Sequence, residues 1–171
     1  MYIIFSTLNM EFKKKVICVL FCFSLFFPFN GFSQQSYKTG LGLRGGYPSG
    51  LTVKQFLDGS SAVEGVLSFG SWGLGFTALY QIHVPIKDAP GFNWYYGGGA
   101  HIGMAKASGG NPFSRTDEQK LFLGVDGIFG AEYVFPDIPI SLSLDLSPIV
   151  SIIPELYPWF NAGLSLRYTL R

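Results

Sequence analysis

The stretch Trp159 to Arg171 reads WFNAGLSLRYTLR, and its residues from Phe160 onward divide into two unlike sets. Phe160, Ala162, Leu164, Leu166, Tyr168 and Leu170 fall on one face of an extended chain. Asn161, Gly163, Ser165, Arg167, Thr169 and Arg171 fall on the other, because side chains of a β-strand point alternately to opposite sides. One face is apolar and the other is small or polar. A ribbon of this kind needs two different surroundings, and the question is whether the rest of the chain supplies them.

The same period of two recurs upstream, while no helical apolar period of useful length follows Gln34. Seven further strands are predicted: Tyr37 to Tyr47, Leu51 to Leu57, Ala62 to Phe69, Gly73 to Val84, Phe92 to Met104, Lys120 to Phe135 and Pro139 to Ile149. The last of these is the cleanest, with Ile140, Leu142, Leu144 and Leu146 set against Ser141, Ser143, Asp145 and Ser147. Proline cannot donate to a sheet ladder, so it is expected in connections or at strand ends. Pro48, Pro85, Pro90, Pro112, Pro136, Pro154 and Pro158 fall between the predicted strands, and Pro139 and Pro148 at the ends of the seventh.

Residues 1–33 read as a secretory signal peptide, with the true start at Met10 as an alternative to Met1. Lys13, Lys14 and Lys15 form a basic region, and Val16 to Phe27 an apolar run too short to cross a bilayer. Gly31 and Ser33 place small residues before a cut at Gln34. The remaining segment, 34–171, is expected to form one β-barrel domain. Both cysteines, Cys18 and Cys22, lie in the leader without the small preceding residue of a lipoprotein signal. The exported chain therefore has no disulfide framework and no thiolate chemistry. Its nine basic and ten acidic residues offer no electrostatic footprint for nucleic acid.

Charged residues make up 13% of the chain, against roughly 25% in typical soluble domains, and aromatics reach 17%. A low charge content without a membrane helix is explained by a closed transmembrane barrel, in which every backbone polar group is paired and the outer wall faces lipid. The predicted fold is thus all-β: an eight-stranded, up-and-down antiparallel barrel. With both termini in the periplasm, Ala107 to Glu118 becomes the main outer loop, Ser151 to Tyr157 a second, and Pro136 to Ile138 a tight inner turn. Aromatic girdles are then expected from Tyr47, Phe69, Trp72 and Trp159 at the outer rim and from Trp94, Tyr133, Phe135 and Tyr168 at the inner one.

Asn161, Gly163, Leu166 and Tyr168 match the pattern polar, any, Gly, two of any, hydrophobic, any, aromatic. This resembles the C-terminal signal read by the barrel-assembly machinery, although three further residues, Thr169, Leu170 and Arg171, follow it. By this pattern and by its alternation, the region after the leader resembles the small eight-stranded outer-membrane proteins of the OmpX and OmpA membrane-domain type. The resemblance implies the outer membrane of a Gram-negative bacterium as the location. It implies outer-membrane lipid, the assembly machinery and another envelope protein as partners. Fold transfers along such a likeness far better than function.

The inward faces gather ten polar residues into a predicted lumen network: Arg44, Lys54, Glu64, Gln81, His83, His101, Asp126, Glu132, Asp145 and Arg167. Four carboxylates face three firm cations. An eight-stranded barrel is just wide enough for side chains to fill, so these charges are expected to pair as a packed plug rather than to line a pore. Gly40, Gly42 and Gly45 spell the dinucleotide fingerprint, but no helix follows them to hold a pyrophosphate. No cofactor or metal site is expected.

A lipid A deacylase would place His and Ser on the lipid-facing wall, whereas the alternation turns His83 and His101 into the lumen, with no serine nucleophile evident beside them. The leading expectation is a non-enzymatic integral outer-membrane protein with an envelope-structural role or a place in a larger complex. A lipid-modifying hydrolase and a narrow pore are its alternatives. A soluble lipocalin-like barrel requires the opposite pattern, with an apolar lumen and charges outside.

Overall fold

The computed structural model describes residues 37–46, 49–70, 73–105 and 120–171. The signal segment, the outer loop Ala107 to Glu118 and the girdle positions Tyr47 and Trp72 lie outside the described residues. Eight strands follow one another: β1 Thr39–Gly46, β2 Gly50–Phe56, β3 Ser61–Gly70, β4 Gly73–Pro85, β5 Phe92–Ala105, β6 Lys120–Val134, β7 Ile140–Ile153 and β8 Tyr157–Leu170. Each pairs antiparallel with the next, and β8 returns to β1, so the sheet closes without a free edge.

The closure is staggered. Paired residues run from Gly42 through Thr52, Val66, Thr77, His101, Gly124 and Ser151 to Tyr157. Gly42's own partner on β8 is Arg167, ten residues beyond Tyr157. A shear of this size tilts the strands by roughly 40° and sets an interior that side chains fill.

Alternation sorts the two faces as the patterns predict. The wall carries an outward row on every strand, including Leu43, Val53, Leu67, Phe76, Ile102, Phe129, Leu144 and Leu164, all exposed. The opposite row points to the axis and is buried and largely polar. This is the reverse of a lipocalin-like barrel. At the end where β1 begins and β8 finishes, Tyr37, Phe56, Ala62 and Val134 form an apolar floor.

Three boundaries differ from the alternation reading. The first strand begins at Thr39, because Tyr37 leaves the alternation and swings inward to meet Phe56 edge-on, with ring centroids 5.0 Å apart. At the other end, β7 extends to Ile153 and β8 starts at Tyr157, so the outer connection expected over Ser151 to Tyr157 shrinks to residues 154–156. The β6–β7 register shifts between Leu123 and Gly124, which places one extra β7 residue there and lets the ribbon continue. Pro148 and Pro158 consequently sit inside strands. Around Pro148, the β6–β7 ladder has no registered pair at Gly127, Ile128, Ser147 or Pro148, as a residue without an N–H requires.

Candidate functional site

Among the described residues the lumen concentrates the chemistry, and the ten predicted polar residues divide there into three groups. The first lies next to the apolar floor. Arg167 reaches from β8 across the axis and donates to Glu64 of β3, and through Nη1 to Ser143 Oγ at 2.7 Å. Glu64 also accepts from Thr52 Oγ1 at 2.5 Å and from Gln81 Nε2 at 2.6 Å. Lys54 Nζ stands between two carboxylates, 3.7 Å from Glu64 and 3.8 Å from Glu132, and lies 4.4 Å from the centre of the Tyr95 ring. Glu132 accepts from Tyr37 Oη at 2.8 Å and Ser141 Oγ at 3.0 Å. Its other oxygen lies 3.5 Å from His83 Nδ1.

Two cations and two carboxylates therefore balance in a volume closed to solvent: Lys54, Glu64 and Glu132 are all 0% exposed. An isolated buried charge costs several kcal/mol, so shared partners are what allow the group to exist. His83 stacks on Tyr95 at 4.9 Å and meets Phe56 at 4.8 Å, which ties the charged layer to the floor.

The second group is a fork. Arg44 of β1 donates from Nη1 and Nη2 to the two oxygens of Asp145 on β7, at 2.7 and 2.5 Å. Tyr95 Oη adds a third donor at 3.1 Å. The parallel geometry suits the planar guanidinium and fixes the pair across the bore. Gly163 makes room for it, since a Cβ there would fall 2.8 Å from Arg44 Nη1 and closer still to Nη2.

The third group joins β5 to β6. His101 Nδ1 lies 3.0 Å from both oxygens of Asp126. The fourth carboxylate thus takes a histidine where the three firm cations are already committed. Both histidines face the lumen, and among the described residues no serine hydroxyl is hydrogen-bonded to either. Above this pair a cavity of about 60 Å³ opens between β1, β3, β4, β5, β6, β7 and β8, lined by His101, Asp126, Ser68, Phe122, Trp159 and Asn161 among others.

Several participants were not singled out from the sequence. Tyr37, Thr52, Tyr95, Ser141 and Ser143 all hydrogen-bond the charged residues. Four of these carry inward parity, which was the available signal; Tyr37 breaks parity and had none. Of the expected girdle residues, Phe69 and Tyr168 are exposed on the wall. Tyr133 packs between Phe92 at 4.4 Å and Phe135 at 4.8 Å, and Trp94 stacks on Tyr96 at 5.3 Å. Trp159 shares the parity of Asn161, borders the cavity while remaining 38% exposed, and its indole N–H donates to Asn161 Oδ1 at 2.6 Å. In the assembly-signal stretch, Asn161 and Gly163 point inward, and Leu166 and Tyr168 outward.

A closed eight-stranded up-and-down barrel with an apolar wall and a polar filling is the architecture of small OmpA- and OmpX-type barrels. Among solved structures, the chain is similar to the N-terminal β-barrel domain of Pseudomonas aeruginosa OprF. The likeness covers 76% of this chain and 93% of that one, with a TM-score of 0.56 at 12% sequence identity. It is a likeness of fold. No protein-family model matches the chain, and no curated protein is similar to it.

Proposed function

We propose that the protein is a non-enzymatic, integral outer-membrane β-barrel of a Gram-negative bacterium, exported by its N-terminal leader and acting as a structural element of the envelope or as a subunit of an envelope complex. The observation that carries this reading is the continuous outward band of exposed Leu, Val, Ile and Phe side chains around a sheet with no edge. Water-soluble monomers rarely expose apolar patches beyond a few hundred Å². Hydrocarbon solvates such a wall at no cost, and the charges sit where lipid does not reach. Outer-membrane lipid is then the wall's partner, and the barrel-assembly machinery reads Asn161, Gly163, Leu166 and Tyr168 during insertion.

The bidentate Arg44–Asp145 fork and the Arg167–Glu64–Lys54–Glu132 cluster favour a plug over a pore. The inward histidines, away from the lipid-facing wall, favour a structural role over lipid hydrolysis. Fractionation tests the reading. The protein is expected in the outer-membrane pellet after carbonate washing, and its unheated form should migrate anomalously on SDS gels until boiled. A monodisperse protein in detergent-free buffer would overturn it.

A further inference from the structure

We propose that the half of the lumen around His101 and Asn161 is a binding site for a small uncharged amphipathic molecule, with an apolar body of about one six-membered ring and one oxygen that accepts a hydrogen bond. The cavity above the His101–Asp126 pair measures about 60 Å³. One water needs about 10–15 Å³ of occupied volume, so the space has room for more than a single water. Its walls include Val66, Leu79, Phe122, Ile149 and Trp159, a lining that water hydrates poorly. Phe122 lies against Gly103 and His101 against Gly124, where an added Cβ would strike the rings, so the space is kept by two residues without side chains.

Two polar groups point to the occupant. Ser68 Oγ and Asn161 Nδ2 line this cavity, are buried, and have no hydrogen-bond partner among the described residues. The amide orientation of Asn161 is set, because the Trp159 indole can only donate and takes Oδ1. That leaves an NH₂ aimed at a ligand oxygen. Buried donors are rarely left orphaned, and each invites a partner. Arg44 is already held by Asp145 and Asp126 by His101, so neither firm charge faces the cavity without a partner. The inference concerns the lumen alone and holds whichever membrane, or complex, the wall faces.

The test uses the exported chain refolded into phosphatidylcholine nanodiscs, with phenol as the probe and toluene as its oxygen-free counterpart. Trp72→Phe and Trp94→Phe leave Trp159 as the reporter. Phenol is expected to change Trp159 emission saturably, and toluene to bind about tenfold more weakly, the value of one hydrogen bond. Asn161→Ala should weaken phenol about tenfold and leave toluene unchanged. Val66→Phe, which fills the cavity, should abolish both responses while the gel shift on boiling shows an intact barrel. Ser68→Leu provides a second filled variant should Val66→Phe fail to fold. Non-saturable quenching, or equal response in a folded, filled variant, would overturn the proposal and leave ordered water as the only occupant.

Discussion

Glu64 shows most directly how a charge survives inside this barrel. It accepts from Thr52, Gln81 and Arg167 and faces Lys54, so its removal leaves two buried cations to share the single carboxylate of Glu132. Breaking a buried pair in this way costs about 3–5 kcal/mol. Glu64→Ala is therefore expected to lower the unfolding free energy by that amount in urea titrations of the refolded barrel. A loss below about 1 kcal/mol would mean that water relieves the cations. Gly163 raises a second question at this scale, since it belongs to the expected assembly signal and also clears space for the Arg44 guanidinium. Gly163→Ala should push Arg44 off Asp145 and cost about 1–3 kcal/mol in the folded barrel. Because that loss is measured on refolded protein without the assembly machinery, it separates the packing role from the signal role.

At the scale of the strand, the two faces of β7 should respond oppositely to the same change. Leu144 is exposed on the wall, and Ser143 is buried beside Arg167. Leu144→Arg is expected to destabilise the barrel by about 2–4 kcal/mol in lipid vesicles, the depth-dependent cost of a cation on the lipid face. Little change in the vesicle assay would contradict a lipid-facing wall. The β2–β3 turn makes a smaller contribution. Asp58 Oδ1 accepts from the backbone N–H groups of Ser60 at 2.8 Å and Ser61 at 2.6 Å, which holds its carboxyl below the usual aspartate range. A depressed carboxyl stabilises the fold above its unfolded value, and that contribution disappears as pH falls through the folded value. An NMR titration should find Asp58 ionised at a lower pH in the folded protein than in the urea-unfolded chain. Asp58→Asn should remove that part of the acid dependence.

For the whole molecule, the shear of ten and the layered filling decide what can pass. An apolar floor, a balanced charged layer and a guanidinium–carboxylate fork follow one another along the axis. Planar-bilayer recordings at neutral pH are expected to show no sustained porin-sized conductance. A stable large-conductance state would require this filling to move aside as a unit.

The sequence by itself determined that the chain makes β-strands, how many, and which residues share a face, because a period of two is a local property of side-chain chemistry. From it came the polar axis, including Arg44, Lys54, Glu64 and Arg167, and the lipid-like wall. Tertiary structure alone decided who meets whom across the bore. The Arg44–Asp145 contact spans 101 residues and Arg167–Glu64 spans 103, and both depend on the stagger of a closed sheet, which no single strand encodes. It also turned Tyr37 inward and carried β7 and β8 past their prolines, since at the end of a ribbon packing against Phe56 outweighs alternation. The cavity under Trp159 belongs to this second class, for empty space between seven strands has no signature in any one of them.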